Sequence, residues 1–150
     1  MQPGDVVPDF ELSDDQGNSR SLTELLDHGP VVLFFYPAAL SPGCTAESCH
    51  FRDLAKEFAD VGAQRVGISH DGVERQAEFS AKHSFDFPLL ADPDGKVATI
   101  FGVRRKFGPL PTRRMTFVID TDRKVLDVVK SEVRMGVHAD RALAALRARG

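Results

Sequence analysis

The sequence predicts an α/β domain, a mixed β-sheet with helices on both faces. Three observations carry that expectation. Strand-like and helix-like segments alternate along the chain; "VVLFFY" at 31–36 is an unbroken apolar run suited to a strand covered on both sides; and two strand candidates follow one another near the end. The 150 residues fit one domain, 1–150. A chain of that length buries roughly 68–70% of its unfolded surface.

Each element has its own local reason. "DFELSDDQGNSRSL" (9–22) reads as an N-terminal β-hairpin, two short strands around Asp15-Gln16-Gly17-Asn18. The apolar run at 31–36 is the first central strand, and a helical pattern from about Pro42 to Asp60 follows it. "RVGIS" (65–69), "FPLLAD" (87–92), "MTFVID" (115–120) and "KVLDVV" (124–129) are further strands, rich in apolar and β-branched residues. Asp92-Pro93-Asp94-Gly95 and Thr121-Asp122-Arg123-Lys124 supply turns. "GVERQAEFSAKH" (72–83), a segment including "KVATIF" (96–101) and "HADRALAALRARG" (138–150) are the remaining helices.

Composition narrows the function classes. With 42% hydrophobic and 27% charged residues the chain belongs with ordinary soluble globular proteins. A net charge of −3 leaves no general phosphate-binding surface, so nucleic acid is not an expected partner. The apolar stretch 31–40 is interrupted by Pro37 and is too short to cross a bilayer, and "MQPGDVVPDF" lacks the features of a secretory signal. The expected location is the cytoplasm. Two cysteines are no disulfide scaffold. A reducing compartment keeps an idle pair as thiols, so any bond between them is transient and chemical.

Those cysteines lie in "YPAALSPGCTAESCHFR" (36–52). Ser41 suits a helix N-cap and Pro42 the first helical position, where a missing N–H costs nothing. Cys44 then falls in the first turn, where free backbone N–H groups and the helix dipole favour negative charge. At 100° per residue Phe51, Ala55 and Phe58 share its face, whereas Cys49 lies about 140° away, beside Asp53, Lys56 and Asp60. Residues five apart in a helix have Cα atoms about 8.6 Å apart. A disulfide needs them within about 7 Å. The pair therefore cannot join unless the helix unwinds. Other uses of the pair are two packed thiols or, with His50, a metal site. The latter lacks a fourth ligand and standard zinc spacing, so no metal is expected.

The run Pro37-Ala38-Ala39-Leu40-Ser41-Pro42-Gly43-Cys44 resembles the peroxiredoxin active-site pattern Pro-x-x-x-Thr/Ser-x-x-Cys. Its continuation through Cys49 to Arg52 is similar to the peroxiredoxin Q, or bacterioferritin comigratory protein, group, as are "GDVVPDFEL", "FDFPLLADPDG" and "RRMTFVID" in the same order. The resemblance implies a thioredoxin-like fold and a thiol-dependent peroxidase acting in antioxidant defence. Its substrates would be hydrogen peroxide and organic hydroperoxides, with no cofactor. It further implies Cys44 as the peroxidatic cysteine and Cys49 as the resolving one, giving an intramolecular disulfide recycled by thioredoxin or a similar dithiol. Arg114 matches the family's active-site arginine, with its neighbour Arg113 the alternative. Arg114 and the Gly43 and Cys44 N–H groups would bind the peroxide, Ser41 would offer a hydroxyl that donates and accepts, and Pro37 would shield the pocket. Glu47 is either an arginine-orienting carboxylate or an ordinary first-turn acid. A resolving cysteine within the chain permits a monomer and allows a weak homodimer.

The basic loop "FGVRRKFGPLPTRR" (101–114) is solvated surface, or else frames the peroxide entrance or meets a reductase through Arg104 and Arg105. His28, His70, His83 and His138 read as structural or exposed. Two rival functions use the same scaffold. A copper-binding assembly protein would pair the cysteines with a distant histidine such as His138, but its cysteines are usually one residue closer. A general dithiol–disulfide exchanger would carry Cys-x-x-Cys, which this chain lacks.

Overall fold

The computed structural model describes residues 1–105, 112–132 and 134–149. Seven strands form one sheet in the order β2-β1-β5-β4-β3-β6-β7. They are β1 (Glu11–Asp14), β2 (Ser19–Ser21), β3 (Val31–Phe35), β4 (Gln64–Ser69), β5 (Leu89–Ala91), β6 (Met115–Ile119) and β7 (Val125–Lys130). β3, β4 and β5 run parallel, and the β1–β5, β3–β6 and β6–β7 pairs are antiparallel. This is the mixed, thioredoxin-like sheet expected above, with the hairpin β1–β2 on one edge.

β3 shows why helices cover both faces. Its side chains alternate, as the strand period of two requires. Val31, Leu33 and Phe35 enter one core with Leu22, Leu25 and Leu26 of α1 (Leu22–Leu26) and Val97, Ala98 and Phe101 of α5 (Lys96–Phe101). Val32, Phe34 and Tyr36 enter the other. There they meet Cys44 and Phe51 of α2 (Pro42–Asp53), Phe58 of α3 (Ala55–Asp60), Phe79 of α4 (Val73–His83) and Ala139, Ala142, Leu143 and Leu146 of α6 (Met135–Ala148). Phe34 stacks on Phe51 with ring centroids 4.2 Å apart, which presses α2 onto the sheet.

Three elements differ from expectation. The short helix α1 starts at Leu22, the last residue of the expected hairpin, and covers 23–26, where no element was expected; the Ser21 hydroxyl caps it by accepting the Glu24 N–H at 3.1 Å. α6 begins at Met135 instead of residue 138. The helix expected over 42–60 is two, divided at Leu54 (φ −96°, ψ 21°). The cause of the division is a side chain. The Phe51 carbonyl would accept from Ala55 in a continuous helix, but it accepts from Arg65 Nη1 at 2.9 Å. Arg65, on β4, is itself held by Asp86 through bonds of 3.0 and 2.7 Å and lies 5.0 Å from the centroid of the Phe87 ring.

Close packing around β4 leaves Gly67 no room for a side chain. A methyl there would sit 2.7 Å from Leu89 Cδ2, 3.0 Å from Phe34 Cζ and 3.1 Å from Tyr36 Cε1. Gly67→Ala is expected to destabilise the protein by about 1–3 kcal/mol through overpacking. Urea melts will check this, and a variant as stable as the parent would show that the two rings give way.

Candidate active site

The chain leaves the carboxyl end of β3 at Tyr36, whose N–H still bonds the Ile68 carbonyl of β4 at 3.1 Å. It then turns through Pro37–Leu40 before entering α2. The ends of parallel strands are where α/β sheets place ligands. Pro37 is buried, and Asp71 Oδ2 takes the Ala39 N–H at 2.7 Å. Leu40 has φ 69°, a left-handed conformation that costs a non-glycine residue about 1–2 kcal/mol. Ser41 holds the N-cap position, but its hydroxyl makes no cap bond. It donates to the Ala38 carbonyl at 2.8 Å, which leaves its lone pairs free to accept. The first helical bond runs from Thr45 N–H to the Ser41 carbonyl at 2.9 Å. The N–H groups of Gly43 and Cys44 precede it, among the donors a helix leaves free.

Cys44 is fully buried and faces Arg114. Arg114, just before β6, reaches across with two nitrogens: Nη2 to Cys44 Sγ at 3.2 Å and Nη1 to Glu47 Oε1 at 2.7 Å. Of the two arginines, Arg114 lies against Cys44, whereas Arg113 is exposed. Gly43 completes the arrangement. A side chain there would meet Arg114 Nη2 and Met135 Cε, each at 3.3 Å, so its absence keeps the approach to the guanidinium open.

Cys44 and Cys49 are both free thiols on the same unbroken helix, the first buried and the second partly exposed. The wheel-based placement of the two sulfurs on different faces holds. Ala55 and Phe58, placed on the Cys44 face, and Lys56 and Asp60, placed beside Cys49, belong instead to α3.

Sequence reasoning named Glu47 as a carboxylate that could orient an arginine, but missed the groups behind it. Glu47 is fully buried, and its Oε2 lies 3.5 Å from His138 Nδ1 of α6. His138 Nδ1 also lies 2.8 Å from Thr116 Oγ1, and Nε2 lies 2.8 Å from the Ser131 carbonyl. Glu132 Oε1 accepts the Arg114 backbone N–H at 3.2 Å and Arg105 Nη2 at 2.6 Å. These partners are up to 91 positions from Glu47 in the chain, and no spacing rule joins them. Both ring nitrogens of His138, the histidine open to the copper reading, are engaged by Thr116 and Ser131. His28 is exposed, and His83 packs edge-on against Phe79. Of the basic loop 101–114, residues 106–111 lie outside the described residues; Arg104 is exposed and bridges to Thr112. Among the described residues no helix is long and apolar enough to cross a membrane.

Burial pushes the Glu47 carboxyl up to about 8, against the opposing pull of the Arg114 charge. A folded-state value above the ordinary 4.5 stabilises the fold fully below pH 4.5, and that contribution is lost as pH rises through about 8. The reduced protein should therefore lose stability between pH 5 and 8, by at most about 1.4 kcal/mol per pH unit. Glu47→Gln should flatten that slope. Urea melts across the range in reducing buffer test this, and equal slopes in both proteins would contradict it.

Known proteins resemble this chain in sequence and fold. Residues 3–128 match the AhpC/TSA family. The crystal structure of peroxidoxin BcpB from Mycobacterium tuberculosis superposes with a TM-score of 0.95 at 63% identity, covering 99% of this chain and 97% of that one. Peroxiredoxin Bcp of Bacillus subtilis is 35% identical over 152 residues, 98% of this chain and 96% of its own. A Xanthomonas campestris bacterioferritin comigratory protein, solved in work on its alkyl peroxide reduction activity, gives a TM-score of 0.85 at 34% identity, with 93% and 91% of the two chains covered.

Proposed function

Because this chain belongs to the AhpC/TSA family, and is a peroxiredoxin that reduces peroxides at the expense of thiols, we propose that Cys44 is its peroxidatic cysteine, Arg114 its peroxide-binding cation and Cys49 its resolving thiol. One observation carries this reading: the 3.2 Å contact between Arg114 Nη2 and Cys44 Sγ at the first turn of α2.

Magnitudes set what the site must supply. An ordinary cysteine with a pKa of about 8.5 is about 3% thiolate at pH 7. Full ionisation gains roughly thirtyfold, about 2 kcal/mol, and part of that is returned because nucleophilicity falls with basicity. The remainder comes from alignment of the peroxide and from charge stabilisation on the departing oxygen. Arg114 Nη2 and the free N–H groups of Gly43 and Cys44 would bind the peroxide on the side that Gly43 leaves open, and the Ser41 oxygen would accept the hydrogen of the bound hydroperoxide. Pro37 screens the loop from water, and Glu47 orients Arg114.

The thiolate attacks the terminal peroxide oxygen. The S–O bond forms as the O–O bond breaks, the sulfur is oxidised to sulfenic acid, and the alkoxide takes up a proton to leave as an alcohol, or as water from hydrogen peroxide. α2 then unwinds between Cys44 and Cys49, and the Cys49 thiol displaces water from the sulfenic acid to form a disulfide. An external dithiol, thioredoxin or a protein like it, exchanges with that bond and restores both thiols. This cycle needs only one chain 1–150 working as a single domain, a monomer or a loose dimer. A reducing cytoplasm suits it.

Stoichiometric hydrogen peroxide is expected to convert the wild type to an intramolecular Cys44–Cys49 disulfide with loss of far-ultraviolet helix signal, while Cys49→Ser accumulates Cys44 sulfenic acid. Mass spectrometry after thiol labelling reads both, and a wild type that keeps two free thiols would overturn the proposal. Arg114→Gln should lower kcat/KM for hydrogen peroxide by about 10²–10³, the loss typical of a preorganised donor to developing charge. A loss under threefold in stopped-flow assays would remove Arg114 from the role.

A further inference from the structure

α2 must come apart between Cys44 and Cys49 before the two sulfurs can join, and one buried side chain in that stretch suits the unwound chain better than the coiled one. Ser48 is fully buried, and its hydroxyl has no hydrogen-bond partner among the described residues. Its place in the helix explains the burial. Four residues after Cys44 and three before Phe51, it lies on their side of α2. Both of those residues belong to the core shared with Ala139, Ala142 and Leu143 of α6. A mid-helix serine often settles its hydroxyl on the carbonyl one turn back. Here that bond is not made.

A hydroxyl orphaned in a packed core carries the full cost of its lost water. Unwinding turns Ser48 out to solvent, and the cost disappears. Next to it, Glu47 Oε2 is also buried without a hydrogen-bond partner among the described residues. Two adjacent side chains between the sulfurs therefore oppose the coiled form. The flanks are fastened instead. Beyond Cys49, the Phe51 carbonyl accepts from Arg65 Nη1 at 2.9 Å, and Arg52 Nη1 donates to the His83 carbonyl at 2.8 Å. Ahead of Cys44, Asp71 holds the loop through the Ala39 N–H at 2.7 Å. The weakness is confined to the stretch that has to move.

We infer that Ser48 sets the rate of the resolving step by destabilising the helical form of residues 44–49 relative to the unwound one. The inference deepens the proposed reading of Cys44 and Cys49 and rests on it. In that step the Cys49 thiol attacks the sulfenic sulfur of Cys44. The S–S bond forms, the S–O bond breaks, and the hydroxyl leaves as water with the thiol hydrogen. Ser48 takes no part in these bond changes. It acts on the equilibrium that precedes them, because the fraction of time the stretch spends unwound multiplies the rate of bond formation. The attack of Cys44 on peroxide uses the coiled form, which predominates with serine or alanine at this position, so that step is unaffected.

Ser48→Ala removes the orphaned oxygen and provides the test. After one equivalent of hydrogen peroxide it should form the Cys44–Cys49 disulfide about tenfold more slowly than the wild type. Loss of the Cys44 thiol should keep its wild-type rate; rapid-quench labelling and mass spectrometry follow both events. In the reduced protein the amides of residues 45–50 should exchange with deuterium about tenfold more slowly, since opening becomes rarer. Ala46→Ser, on the exposed side of the same helix, controls for helix propensity: its hydroxyl meets water, and it should speed resolution by no more than about threefold. A resolving rate in Ser48→Ala within threefold of the wild type would overturn the inference. So would unchanged deuterium exchange, or an Ala46→Ser effect as large as that of Ser48→Ala. A wild type that forms no Cys44–Cys49 bond would defeat the resolving assignment itself, and the exchange measurement would still judge whether Ser48 loosens α2.

Discussion

One guanidinium organises the reactive end of this molecule. Arg114 stands between a sulfur at 3.2 Å and a carboxyl at 2.7 Å, both carried on the first turns of α2. The arginine itself is almost fully buried at the mouth of β6. A cation so placed must be matched by local negative charge or dipoles, because a desolvated, unpaired charge is among the most costly features a fold can carry. β6 lies beside β3 in the sheet, and α2 starts one short loop after β3. Sheet order therefore decides that arginine and thiol meet, although 70 residues separate them in the chain.

The remainder of that end is arranged to preserve this meeting. Asp71 fixes the loop before α2 from one side through Ala39, and the Phe34–Phe51 stack fixes the helix from below. On the far side α6 contributes His138 behind Glu47, and also the half-exposed pair His50–Asp140 at 2.9 Å. The last contact is worth little by itself. What matters is that α2 is held at several points by side chains from the sheet and from another helix, so the geometry at Cys44 does not depend on helix propensity in "PGCTAESC".

Much of this was legible in the chain, for reasons specific to each segment. "VVLFFY" announced a doubly covered strand because no polar face was available, and Pro42 behind Ser41 marked the helix start because the missing N–H is harmless only there. The thiol's position in the first turn followed. The strand period cannot tell Arg113 from Arg114, and three-dimensional placement separated them. Two features lay outside what periodicity encodes. The division of the long helix at Leu54 arises from a guanidinium on a later strand. The buried Glu47–His138 contact joins two helices whose own patterns are unremarkable. α1, by contrast, had a visible signal: Ser21 followed by Glu24 is the spacing of a helix-capping box.

The Arg65 bond to the Phe51 carbonyl acquires a further meaning under the proposed cycle. Each turnover would require the segment carrying both sulfurs to lose its regular coil and later recover it. By seizing the carbonyl two residues beyond Cys49, Arg65 gives that remodelling a fixed downstream edge, so Phe51 and Phe58 stay seated while the turns ahead of them come apart. A peroxidase built this way could cycle many times without melting its interior, much as a door wears at its hinge and spares the wall.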